Sequence, residues 1–179
     1  MPIVPANFRQ GAAFQPLDSA SDIIKFDGVV AAAQGRIQDG TWVQWTATGV
    51  QKPAGVVQGI KSAFCAFSDF DQNDIIGHPD ASRLGQVTLL VGQYRGRTLY
   101  WQRGGTMPAP GLFAEVDVAS AVGATVAAIV ADAGVADAVV ATDGILDVQG
   151  GGVTADQAVA VILTAPSGGT TGFVEYMML

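Results

Sequence analysis

The clearest hydrophobic and polar alternation in the chain runs through residues 85–105, GQVTLLVGQYRGRTLYWQRGG. On an extended backbone, Val87, Leu89, Val91, Gln93, Arg95, Arg97, Leu99, Trp101 and Arg103 share one face. Thr88, Leu90, Gly92, Tyr94, Gly96, Thr98, Tyr100 and Gln102 take the other. Up to Val91 both faces are apolar, which predicts a strand buried on both sides. Gly92 and Gly96 predict bends or bulges that reset the register. Beyond them the segment mixes guanidinium and aromatic groups, the side chains enriched where proteins meet proteins. The pattern therefore predicts a core strand that continues into a docking segment, with Tyr94, Arg95, Arg97, Tyr100, Trp101 and Arg103 as its contacts.

The same period of two recurs elsewhere. RIQDGTWVQWTATG places a turn at Asp39–Gly40 before a Trp- and Thr-rich strand. LFAEVDVAS alternates cleanly, with Phe113, Glu115 and Asp117 on one face and Leu112, Ala114, Val116 and Val118 on the other. AGVVQGIKSAFCAFSDF, DGILDVQGGG, DQAVAVILTAPSGG and GFVEYMML are further short runs bounded by Gly, Pro, Asp or Ser. Nine or ten short strands at this spacing predict an all-β sandwich or barrel. The alanine-rich stretch 119–141 fits a short helix as well as a strand. Residues 1–25 read as an extended N-terminal arm: Pro2, Pro5 and Pro16 favour extended backbone, and Phe8 and Phe14 are its apolar anchors. Residues 26–179 form the β-rich domain. The Pro- and Gly-rich step at 104–111 either divides it into two lobes or closes a long hairpin.

Charge sharpens this picture. Only 14% of residues are charged, against roughly 25% in an ordinary globular chain, so part of the surface is expected to be covered by a partner. The net charge of -7 argues against direct nucleic-acid binding. All nine Lys and Arg lie at or before Arg103, while eight of the sixteen acids follow it. The basic part of one copy could thus pair with the acidic part of another. One cysteine, Cys65, excludes an internal disulfide. The start of the chain shows no secretory signal pattern, and the longest apolar stretch, 119–131, is too short to span a bilayer.

Candidate chemistry is sparse. His78 sits in a His-Pro-Asp turn with no evident nucleophile. Asp69, Asp71, Asn73 and Asp80 fall at first, third, fifth and twelfth positions of a calcium-loop spacing, but Asp74 stands where that loop needs Gly. No phosphate loop, nucleophile elbow or zinc-protease helix occurs. No cofactor and no enzymatic activity are expected.

The order of features, a Pro-rich arm, DGTWVQW, GQVTLLVGQYRGRTLYW, a P-x-P-G step into small-residue strands and a closing GFVEYMML, resembles the capsid decoration, or cement, proteins of tailed bacteriophages. That resemblance implies a β-rich, often trimeric, non-enzymatic protein. It would bind the outer surface of the major capsid protein shell, placing it on the virion exterior after synthesis in the host cytoplasm. Phage tail-tube proteins are the nearest rival. A carbohydrate-binding module, stacking sugars on Trp42, Trp45 and Trp101, is the alternative from another class.

Overall fold

The computed structural model describes residues 14–18, 22–32, 34, 37, 40–57, 64–67, 85–103, 107–118, 144–148, 153–169 and 172–179. Among them the chain is all-β, with strands and no helix. The strands are β1 (Phe14–Pro16), β2 (Ile24–Val29), β3 (Trp42–Thr46), β4 (Gly49–Gln51), β5 (Phe64–Phe67) and β6 (Gln86–Val91). They continue as β7 (Arg95–Thr98), β8 (Trp101–Arg103), β9 (Phe113–Val118), β10 (Gly144–Val148), β11 (Ala160–Ile162) and β12 (Val174–Met178).

Hydrogen bonding joins them in the order β1-β7-β12-β11-β9-β10-β3-β5-β6-β2, with β4 paired to β3 and β8 to β10. Every pair is antiparallel except β8 with β10. Strand β9 joins the two halves, pairing β11 through Phe113–Ala114 and β10 through Glu115–Val118. The halves then face one another: the Trp42 ring of β3 meets the Tyr176 ring of β12 edge-on, centroids 5.6 Å apart. One main core lies between them, drawing Trp42, Leu90, Trp101, Val116, Leu146, Ile162 and Tyr176 from seven strands. Strands before and after residues 104–111 feed this same core. A smaller cluster of Ile37, Val43, Val50, Val87 and Leu89 fills the opposite face of β3 and β6, under the β3–β4 hairpin.

The predicted strand over 85–103 is three strands. β6 is buried on both faces, as its pattern predicts: Val87 and Leu89 serve the small cluster and Leu90 the main one. At Gly92 the backbone takes φ +80, a conformation that costs a residue with a Cβ. There the chain leaves β2 and β5 for β1 and β12, so the glycine marks a corner where one segment changes sheet half. In β12 the alternation is regular, with Val174, Tyr176 and Met178 inward and Glu175 and Met177 half-buried. Within the N-terminal region, 14–16 are a strand paired to β7 and 24–29 a strand paired to β6. Residues 1–13, and 119–141 with its helix-or-strand ambiguity, lie outside the described residues.

Candidate functional site

The Arg/aromatic segment sends its aromatic groups inward. Tyr94, Tyr100 and Trp101 are 2%, 3% and 1% exposed, so these expected contacts belong to the chain's own core. The Trp101 indole Nε1–H donates to Gly172 O at 2.9 Å. Tyr94 stands edge-on to Tyr176, at 6.1 Å between ring centroids. Tyr176 itself lies across the ladder from Gly96, whose missing side chain makes room for the phenol. Phe14, the expected arm anchor, is likewise buried, in β1. Of the two faces after Gly92, the one with Tyr94, Gly96 and Thr98 packs inward and the one with Arg95 and Arg97 turns out. Trp42 is also fully buried, which leaves Trp45 as the one exposed tryptophan among the three proposed for sugar stacking.

Arg95 and Arg97 point outward but are occupied, mostly by the N-terminal segment. Arg97 donates from Nε to Gln15 Oε1 at 2.8 Å and also from Nη2, while its guanidinium covers the Phe173 ring at 4.7 Å. It lies opposite Glu175 in the β7–β12 ladder. Arg95 donates from Nε to Asp18 Oδ1 at 2.9 Å, and its peptide N–H donates to Oδ2 at 2.6 Å. Together they clamp β1 against β7. Arg103 pairs through its backbone in β8, opposite Val148. Phe8, His78 and the calcium-type loop of Asp69, Asp71, Asn73 and Asp80 lie outside the described residues.

Partial burial raises the Asp18 carboxyl, but the Arg95 peptide N–H, guanidinium hydrogen bond and charge outweigh it and hold the group below its ordinary value. A carboxyl lowered by folding stabilises above the unfolded carboxylate range, and that contribution is lost as pH falls through the folded value. Arg95 is more than half exposed, so the pair is screened. Asp18→Asn is expected to cost under about 1 kcal/mol at neutral pH. In urea melts the gap from the native chain should close below the carboxylate range.

Sequence reasoning missed three acids. Glu115, Asp117 and Asp147 are 3%, 8% and 2% exposed. The β9–β10 register sets Glu115 opposite Asp147 and Asp117 opposite Ile145, so all three lie on one face of this strand pair. The alternation of FAEVDV sets Glu115 and Asp117 on the face opposite Ala114 and Val116, yet β9 lies mid-sheet and all four of these central residues are buried. Burying carboxylates costs free energy unless hydrogen bonds or charges compensate. Asp147 Oδ1 accepts no hydrogen bond among the described residues, although the side chain has other contacts. Among the described residues no group of three His, Cys, Asp or Glu has the geometry to hold a metal ion.

The accessible chemistry is apolar and lies at the other end of the sheet. Ile24 and Phe26 of β2 are 66% and 53% exposed, and Trp45 of β3 is 43% exposed. The Phe26 and Trp45 rings meet at a tilt of 51°, with centroids 5.2 Å apart. They share a face, because a Cβ on Gly28 would meet Trp45 and Val50. The β2–β6 register puts Phe26 beside Leu89 and Gly28 beside Val87. This patch is the open rim of the smaller cluster. Comparison with family models, characterised proteins and solved structures gives no match to this chain.

Proposed function

We propose that the protein is a non-enzymatic structural component that attaches to a large assembly, and that the assembly is the outer surface of a phage capsid shell. The observation that carries the attachment is the contiguous Ile24, Phe26 and Trp45 face, large apolar side chains held at the surface by β2 and the β3–β4 hairpin. Isolated exposed apolar residues are ordinary, but two aromatics in contact beside an aliphatic neighbour on one face suit a binding surface. The low charge content of the chain supports the same reading. The capsid as the partner rests on the resemblance of the sequence to decoration proteins. On this reading the protein strengthens a shell through many modest contacts made at once. The rival tail-tube role would use the same surface to stack copies.

The test is co-sedimentation of the purified protein with shells of the major capsid protein from the same phage. Saturable binding is expected. Trp45→Ala with Phe26→Ala should weaken it at least tenfold, since central aromatic contacts each contribute about 2 kcal/mol or more. Absence of binding by the folded native chain, or rings and tubes of the protein alone, would remove the capsid reading.

A further inference from the structure

The strands around the main core close on themselves without β1. β7 pairs β12, β12 pairs β11, β11 pairs β9, β9 pairs β10 and β10 pairs β8. β8 follows β7 after Leu99 and Tyr100, so the two are parts of one segment and the ring is complete. Tyr100 O holds the junction, accepting from Leu146 N at 3.1 Å. β1 adds along β7 of this ring. Residues 17–23 then carry the chain to β2, at the opposite end of the strand order. β1 is thus tethered to one part of the molecule and seated on another.

The seat reads its occupant residue by residue. Phe14 is buried in a socket that Gly40 shapes: at φ +81 that glycine has no Cβ, and one there would collide with Phe14 and crowd the Tyr100 ring. Gln15 accepts from the Arg97 guanidinium, and Pro16 lies opposite Gly96. Leu17 is held through its backbone, its N–H donating to Arg95 O at 2.8 Å. The Asp18 carboxylate takes the Arg95 peptide N–H and guanidinium. An aromatic ring, an amide, a proline and an acid in this order are the marks of strand addition with side-chain selection.

We infer that β1 is exchanged reciprocally between two copies of this chain, residues 14–18 of each seating on β7 of the other. The contacts just described join the segment to β7, Tyr100 and Gly40, so they form unchanged when the segment comes from a second copy. The ring keeps its ladders throughout, because none of them runs through β1. Exchange of an identical element therefore loses no contact of the seat, and reciprocity closes the assembly at two copies. Protein concentration, set against the local concentration that the tether gives a chain's own strand, decides between the two arrangements. Tyr94, Tyr100 and Trp101 stay in the core in both, and the Ile24, Phe26 and Trp45 face takes no part. The exchange therefore stands apart from the attachment reading.

The test mixes two full-length chains in a Cys65→Ala background, one carrying Gln15→Cys and the other, isotopically heavy, Arg97→Cys. Gln15 faces Arg97 two residues before the Leu17–Arg95 hydrogen bond, so it too is at a hydrogen-bonded position. Such positions are about 5.5 Å apart between Cα atoms, within disulfide reach. After oxidation at high protein concentration, mass spectrometry should find the 15–97 link about tenfold in excess over 15–15 and 97–97 links. Phe14→Asp added to the Gln15→Cys chain should bring it down to their level. A random mixture of the three links, or a 15–97 link that survives Phe14→Asp, would overturn the exchange. A second reading keeps Cys65 and uses a labelled peptide of residues 13–19, AFQPLDS, as the probe. It should bind the Phe14→Ala chain about tenfold more tightly than the native chain, whose own strand competes for the seat. A peptide carrying Phe14→Ala should bind neither. Equal binding to both chains would contradict the seat. Peptide binding without the 15–97 link would confine each strand to its own chain and overturn the exchange.

Discussion

Trp101→Ala is expected to lower folding stability by about 3–5 kcal/mol, the usual range for removing a large aromatic side chain from a core. The indole is 1% exposed and belongs to the main cluster. Its loss opens a cavity between the sheet halves and strips Gly172 O of the Nε1–H donor. It also loosens β8, which runs beside β10 from Leu146 to Val148. Urea unfolding followed by circular dichroism measures the change. A role in docking alone would leave stability within about 0.5 kcal/mol of the native chain, as surface substitutions usually do. The size of the loss therefore separates a core residue from a contact residue.

Gly144→Ala should cost about 1–3 kcal/mol or more by overpacking. Gly144 opens β10, where that strand lies between Val118 of β9 and Trp42 of β3. A Cβ there would overlap the Trp42 backbone carbonyl and come within 2.8 Å of Pro53 Cγ. Backbone cannot swing aside as a side chain does, so the methyl group would push β3 from β10. Both strands lie in the half that faces β12, and the damage should spread to the Trp42–Tyr176 contact. Gly55→Ala is the control, because its Cβ would meet nothing within 4 Å. Its melt should match that of the native chain within about 0.5 kcal/mol. Equal effects from the two substitutions would contradict the placement of Gly144.

The all-β class, the double burial of β6 and the alternation of β12 were legible because strand period and turn residues are local properties. The direction of a face was not. Beyond Gly92 the sequence offers Tyr94, Gly96 and Thr98 on one side and Arg95 and Arg97 on the other. Period two separates these sets, but only packing against Tyr176 shows that the aromatic set is the buried one. The arginines read as partners for a distant acidic surface, yet they hold Gln15 and Asp18, more than 75 residues earlier. The paired arrangement of Glu115 and Asp147 depends on a register between strands far apart in sequence.

The central claim is that this protein meets its partner through the hairpin face and not through the Arg/aromatic segment. Hydroxyl-radical footprinting of the free protein and of the protein bound to shells, read by mass spectrometry, tests it most directly. Trp45 should be oxidised in the free protein and protected on the shell, while Tyr100 and Trp101 stay unreactive in both. Strong oxidation of Trp101 in the free protein with protection on binding, and a Trp45 that responds to neither state, would contradict the account.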